Sequence, residues 1–394
     1  DNMRLRTSLC LLLLGIPMAS ADVAGVSDQG DWLVMIQSIT RHGDRAAQND
    51  QYITRQANEV FFRGPGELTS EGISNARMTG KAYRDVYVNG KFMDVRFNPK
   101  EVSFRASEVS RVLMSAGSFS SGLFQHESAG IFQTDSVIAP IYLSPYHEDS
   151  LLAIQYDCVQ GWDDITELCG INATNTMAND LLECMREREW NCTSPPSVQS
   201  DTVISENTNK RTSPFLTSAQ QECANDQALK FMYRYVSRLG GSGTNDTASR
   251  VRLQRTVGRL ATEIVNKFKN MTERYKYNTE TIDPYDEMSI FYYAHDVNEL
   301  ALLNVFSMQA GAFDFFEGNT PAFSSSTVFE LWLRNGDYYV KVFVKNGVAE
   351  TFREFDYCSY LPTGEDFPRI GRYCKLTALE NAKNIYITND EIVC

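Results

Sequence analysis

The sequence predicts an α/β fold whose sheet is interrupted by a mostly helical insertion. Three observations carry this. Strand and helix patterns alternate through residues 22–149. They resume in residues 281–394 and end in a strand pair. Residues 150–280, between them, hold Cys158, Cys169, Cys184, Cys192 and Cys223 but few β-rich runs.

Residues 31–40, Asp-Trp-Leu-Val-Met-Ile-Gln-Ser-Ile-Thr, form a short β-rich run, read as a buried strand that stops at Arg41. Leu68 to Tyr87 reads as a helix: Ile73, Ala76, Gly80, Tyr83 and Tyr87 share one face. Thr69 or Ser70 can cap it. Glu101-Val-Ser-Phe104 is a short strand. A second helix follows, with Ser107 as its cap and Val109, Val112, Leu113, Ala116 and Leu123 inward. Residues 194–218 are rich in Ser, Thr, Asn and Pro and read as a loop, with helical patterns such as Leu253–Phe268 on its flanks. Ser289 to Ala294 is a strand running into His295, and a helix spans Val297–Phe306. Thr327–Leu333 and Tyr338–Val344 are strands joined across Asn335-Gly336, a strong hairpin signal.

Composition bounds the function. The chain has 394 residues, 43% hydrophobic and 22% charged, which suits a globular protein and excludes wholesale disorder. A net charge of −13 argues against a nucleic-acid partner, although cations can still gather in one pocket. Residues 1–21 read as a secretory signal peptide. Arg4 and Arg6 precede a short apolar run from Leu9 to Ile16, and Ala19-Ser20-Ala21 offers a cleavage site. Eight cysteines remain beyond it, an even set that implies disulfides in an oxidising compartment. Sequons at Asn172, Asn191, Asn245 and Asn270 suit the same route and mark that stretch as outward-facing. Secreted, cell-surface and lysosomal destinations all fit. A C-terminal membrane anchor beyond Cys394 and a homodimer stay open.

The four histidines are His42, His126, His147 and His295. His42 and His295 each follow a predicted strand, where ligands bind in open α/β sheets. His126 and His147 have no such context and read as surface or structural. In Arg41-His42-Gly43-Asp44-Arg45, the flanking guanidiniums disfavour imidazolium. A neutral imidazole between arginines is what a phosphoryl-accepting nucleophile requires. Asp296, beside His295, is placed to protonate a leaving alkoxide. Arg105, at a strand end, is the third piece. Alone, each of these is a weak signal.

Together they resemble the histidine acid phosphatase family, branch 2 of the histidine phosphatase superfamily. Arg41-His42-Gly43-Asp44-Arg45 matches R-H-G-x-R. Gly66-Glu67-Leu68-Thr69-Ser70-Glu71-Gly72 resembles G-E-L-T-x-x-G. Phe104-Arg105-Ala106-Ser107 with Arg111-Val-Leu-Met-Ser-Ala116 resembles the R-S-T and R-T-x-x-S-A segment. Ala294-His295-Asp296 matches the H-D motif, and Phe329-Glu330-Leu331 a later F-E-L strand. Five motifs in order are specific where one is not. Ala47 stands where the family usually has Pro, a change that could loosen the loop.

The resemblance implies a three-layer α/β/α sandwich, phosphoglycerate mutase-like, with a helical cap inserted over residues 150–280. It implies His42 as nucleophile, Asp296 as proton donor, and Arg41, Arg45, Arg105 and His295 as phosphate ligands. It implies no metal and no cofactor. The expected activity is acid phosphatase action on small-molecule or peptide phosphomonoesters. The alternatives are a phytase or inositol-polyphosphate phosphatase of the same branch, and a non-enzymatic surface glycoprotein reusing the fold.

Overall fold

The computed structural model describes residues 31–48, 60–124, 127–129, 132–134, 137–152, 205, 247–275, 286–308, 311–317 and 319–387. Their strands are β1 (Trp32–Arg41), β2 (Val102–Ala106), β3 (Glu127–Ala129), β4 (Phe132–Thr134), β5 (Ile141–Tyr142), β6 (Ser289–Ala294), β7 (Ser326–Arg334), β8 (Asp337–Lys345), β9 (Arg353–Glu354), β10 (Arg369–Ile370) and β11 (Tyr373–Lys375). The helices are α1 (Ser70–Tyr83), α2 (Ser110–Leu123), α3 (Thr247–Tyr275), α4 (Asp296–Phe306), α5 (Gly311–Phe315) and α6 (Leu376–Tyr386).

Nine strands form one mixed sheet, ordered β10-β11-β8-β7-β1-β6-β2-β5, with β9 on β8. The half that matters for the site is parallel. β6 lies between β1 and β2, with Arg41 opposite Ala294 and Ala106 opposite Tyr293. Three strands therefore end at one edge. The residues that follow them, His42, Ser107 and His295, emerge side by side: the His42 N–H donates to the Ala294 carbonyl at 3.1 Å, and the Ser107 N–H to that of Tyr293 at 3.1 Å.

Both faces of the sheet are covered, as the period-2 pattern of its strands dictates. On β6, Phe291 and Tyr293 join the core under α1 and α2, while Ile290, Tyr292 and Ala294 join the core under α3, α4 and α6. β8 does the same: Tyr339 and Phe343 face one layer, Val340, Val342 and Val344 the other. The result is three-layered. Burying each Val, Leu, Ile or Phe contributes about 1.5–3 kcal/mol before entropy is charged.

Several local expectations are resolved. Thr69 caps α1, accepting the Gly72 N–H at 3.1 Å. Ser107 is not the cap of α2; the helix starts later, at Ser110, with Val109 at the cap position and no side-chain bond. Ser107 is consumed by the strand end instead. Asn335 and Gly336 adopt φ of 51° and 85°, both left-handed, as the tight turn between β7 and β8 requires.

The expected cap over 150–280 includes α3, and α3 is a core helix. Leu253, Val257, Leu260, Ile264 and Phe268 make a buried stripe in the same cluster as Val34, Ile39 and Phe329 of the sheet. Gln37 Nε2 of β1 donates to the Ile264 carbonyl at 2.9 Å. Of 153–246, all but Ser205 lies outside the described residues, and with it the rest of the loop expected at 194–218. Asn270 is exposed on α3; Asn172, Asn191 and Asn245 lie outside the described residues. Cys358 and Cys374 form a disulfide, and the other six cysteines past residue 21 lie outside the described residues. Among the described residues, no helix is long and apolar enough to cross a membrane.

Candidate active site

The turn after β1 is pressed onto the start of α1. A Cβ on Gly43 would meet the Gly72 carbonyl oxygen at 2.4 Å, and one on Gly72 would meet the Asp44 carbonyl oxygen at 2.1 Å. Only glycine at both positions allows this approach. The Thr69 N–H and hydroxyl both donate to the Asp44 carbonyl, at 2.9 and 3.1 Å. Ser115 of α2 accepts the Gly43 N–H at 2.9 Å. Beyond Arg45 the loop is tied by Ala46 N–H to the Glu67 carbonyl and Gly66 N–H to the Ala47 carbonyl, each 2.9 Å. Ala47 is 3% exposed, and its carbonyl is one of the acceptors that tie the loop.

His42 is 3% exposed. Its Nδ1 lies 2.9 Å from the Gly43 carbonyl oxygen. A carbonyl only accepts, so Nδ1 carries the proton and the lone pair is on Nε2. Burial, then the charge of Arg111, the His295 ring and the charges of Arg41 and Arg45 hold its pKa well below 6.5. The ring stays neutral in acid. Phe323 packs 5.6 Å from it, centroid to centroid, and His295 meets it edge-on at 5.5 Å.

His295 is the N-cap of α4: its N–H donates to Asn298 Oδ1 at 3.3 Å, and its carbonyl accepts the Asn298 N–H at 3.2 Å. Its Nε2 is 3.4 Å from Ser107 Oγ. Burial first, then Arg111, push its pKa down to about 3, against the opposing pull of Asp296. It too is neutral in acid.

Arg41 and Arg45 lie at the edge of this pair. The Arg41 guanidinium stacks on Phe323 at 4.0 Å, donates to the Pro321 carbonyl and pairs with Asp296 at 2.9 Å. Arg45 donates to the Ala46 carbonyl at 3.0 Å and lies 5.8 Å from the Phe323 ring. Asp44, 4% exposed, takes a 2.8 Å bond from Asn75, and burial lifts its carboxyl above its ordinary range. Asp296 spends its other oxygen on the Val297 N–H at 2.9 Å.

The structure thus brings together Arg41, His42, Arg45, His295 and Asp296. Arg105, one residue before the end of β2, is held by partners of its own. Its guanidinium pairs with buried Asp149 at 2.8 Å and donates to Ser144 at 3.0 Å and to the Ala106 carbonyl at 2.6 Å. Phe104 and Ala106 point into the α1/α2 core, so strand alternation turns Arg105 to the opposite face, the one that α4 covers. The third cation beside the histidines is Arg111, in the first turn of α2. It heads the charges acting on both rings. Its signal was the R-T-x-x-S-A-like run, which does not say which arginine faces the pocket. His147 is exposed in a turn, and His126 lies outside the described residues.

Comparison with known proteins identifies the family. The family model described as histidine phosphatase superfamily (branch 2) matches residues 33–345. A putative acid phosphatase 1 of Caenorhabditis briggsae is 24% identical over 327 residues, covering 79% of this chain and 71% of the relative. The lysosomal acid phosphatase of Xenopus laevis is 25% identical over 358 residues, covering 86% and 74%. The apo phytase of Hafnia alvei superimposes with a TM-score of 0.54 at 13% identity, over 92% of this chain and 98% of that one, a likeness of fold alone. Both strand-end histidines and all three arginines of the pocket fall inside the matched span, and the chain belongs to branch 2 of the histidine phosphatase superfamily.

Proposed function

We propose that the protein is an acid phosphatase that hydrolyses phosphate monoesters through a phosphohistidine at His42. One observation carries the reading: a buried imidazole, kept neutral by burial and three arginines, with its proton fixed on Nδ1 by the Gly43 carbonyl. Such a ring offers a lone pair in acid, where a free histidine would be protonated.

In the first step Nε2 of His42 forms a bond to phosphorus as the ester P–O bond breaks. Arg41, Arg45 and Arg111 neutralise the equatorial oxygens, and His295 donates to one of them. Asp296 gives its proton to the leaving alkoxide. In the second step water attacks phosphorus, Asp296 takes the water's proton, and the N–P bond breaks. His42 returns to its neutral state. The residues do this with side chains alone.

The chemistry suits small or peptide phosphomonoesters. A secretory or lysosomal setting is supported by the relative from Xenopus laevis, whose name is lysosomal acid phosphatase, and by the apolar leader, the sequons and the Cys358–Cys374 disulfide. The test is rapid quench with an isotopically labelled aryl phosphate. A labelled protein species that survives base and is lost in acid supports the phosphohistidine. An acid-stable adduct would assign a Ser or Thr nucleophile instead.

A further inference from the structure

Helix α4 carries a carboxyl that the mechanism above does not use. Glu299 sits one turn past His295 and Asp296, on the same side of the helix, and is 0% exposed. Its Oε1 accepts hydrogen bonds from Ser325 Oγ at 3.0 Å and Thr327 Oγ1 at 2.8 Å. Oε2 is buried without a hydrogen-bond partner among the described residues, and so is Nε of Arg41.

The segment that Glu299 grips is the floor of the phosphate pocket. Pro321 supplies the carbonyl that holds the Arg41 guanidinium, and Phe323 lies beneath it and beside His42. The Ser325 carbonyl accepts the Arg41 N–H at 2.9 Å, and Ser324 donates its N–H to the His42 carbonyl at 3.1 Å. Ser324 holds this position at a φ of 60°, a conformation that a non-glycine residue keeps only when its surroundings impose it.

We infer that Glu299 is a positioning residue for the phosphate pocket: it fastens the floor segment under Arg41 to the helix that carries Asp296, and so sets how the arginine's charge is presented to an anion. This rests on the proposed role of Arg41 as a phosphate ligand.

The carboxyl can do this without competing for the arginine. Burial pushes its pKa up to about 8, against the lowering effect of both hydroxyls and of Arg41. In acid it is neutral, and because Oε1 accepts two bonds its proton belongs on Oε2. Arg41 then keeps its charge for Asp296 and for substrate. Once ionised, Glu299 would put a second carboxylate behind Arg41 and repel the incoming anion. The charged or titratable groups that act on it are Arg41 from β1 and Asp296 from α4, with Tyr83 of α1 also feeling its charge. The other helices on α4 meet it through apolar side chains, among them Leu260 and Ile264 of α3, Ala312 of α5, and Leu379 and Ala382 of α6.

The experiment measures sulfate binding to the full chain by thermal-shift titration across pH, with Glu299→Gln, Glu299→Leu and Thr327→Val beside the wild type. Sulfate mimics a phosphoryl dianion and does not titrate over this range. Competition with aryl phosphate hydrolysis in acid places it in the pocket. In acid, Glu299→Leu should weaken sulfate by about tenfold, and Glu299→Gln, which keeps an accepting oxygen, should restore it to within about threefold. Wild-type affinity should fall as pH rises through about 8, where Glu299 ionises. The Gln variant should show no such fall, and Thr327→Val, which loses a bond to the carboxylate, should move it to higher pH. An unchanged affinity in Glu299→Leu, or the same alkaline fall in wild type and Gln, overturns the inference and leaves the phosphate site standing. Sulfate that fails to compete in the wild type removes the phosphate site itself, and this inference with it.

Discussion

Arg41 of β1 and Asp296 of α4 form a 2.9 Å ion pair at the pocket, with their side chains only 7% and 17% exposed. In the proposed mechanism one is a phosphate ligand and the other the proton donor. The pair ties binding to chemistry, since an anion that engages Arg41 competes with Asp296 for its charge.

The substitution Asp296→Asn should therefore separate the two. It keeps the shape, removes the proton and frees the Arg41 charge. Phosphate and sulfate should bind more tightly than to the wild type. Turnover of an alkyl phosphate should fall by about 10² to 10⁴. A nitrophenyl phosphate, whose leaving group departs without a proton, should lose less in its first step and then stall as phosphoenzyme. Single-turnover kinetics on both substrates decides this. An equal loss in the phosphorylation step for both would take Asp296 out of the acid role.

Neutrality of His42 makes a second prediction. Its pKa is held well below 6.5 by burial and by the neighbouring cations, so protonation does not remove the nucleophile in mild acid. The rate of phosphoenzyme formation from a nitrophenyl ester should show no falling limb between pH 6.5 and pH 5. His42→Ala should yield no labelled protein at any pH. A falling limb near 6.5 would show the ring to be an ordinary solvated histidine.

His42 and His295 were legible because each ends a β-rich run, and parallel strands carry their C-termini to one edge. The α/β class was legible because strand and helix runs alternate, whereas the three-layer order came only with the family resemblance. Arg105 and Arg111 were harder. Strand alternation alone turns Arg105 away from Phe104 and Ala106, but which face holds the pocket is fixed only when α2 packs. Arg111 sits on that helix, and no sequence period says how its first turn crosses the sheet edge. The amphipathic stripe of α3 fits a cap as well as a core layer, since either would bury Leu260 and Phe268. Glu299 gave no hint of burial, because its hydroxyl partners lie more than twenty residues away.

The two arginines make opposite predictions. Arg111 heads the cations acting on both histidines, so Arg111→Ala should lower kcat/KM by about 10² to 10³, the cost of losing one well-placed charge donor. It should also raise the pKa of both rings. Arg105→Ala should leave buried Asp149 uncompensated and destabilise the fold by about 3–5 kcal/mol, with kcat/KM of the surviving folded enzyme less affected. Steady-state kinetics and denaturant melts on both variants separate the effects. A kinetic collapse confined to Arg105→Ala would return the phosphate-ligand role to that residue.

Stability should peak in mild acid, and the sign follows from four buried groups. Glu299 is raised from 4.5 to about 8 and Glu330 from 4.5 to about 7, each chiefly by burial. Unfolding releases their protons once pH exceeds 4.5, so the stability they confer is full below that and is lost as pH climbs to 7 and 8. His42 and His295 act in the opposite sense. Their folded values lie below 6.5, and that of His295 is about 3, so their contribution is full above 6.5 and is lost as pH falls. Between 4.5 and 6.5 the two pairs offset one another, which leaves a plateau. From 6.5 to 8 the histidines no longer offset the glutamates, and Glu299 by itself should cost about 2 kcal/mol, a Tm loss of a few degrees. Thermal melts at intervals from pH 4 to pH 9 measure this. Glu299→Gln should flatten the alkaline loss, and a second substitution, Glu330→Gln, should flatten what remains. A wild-type Tm that rises steadily from pH 5 to pH 8 would show that these carboxyls ionise in the folded state, and the neutral Glu299 would go with it.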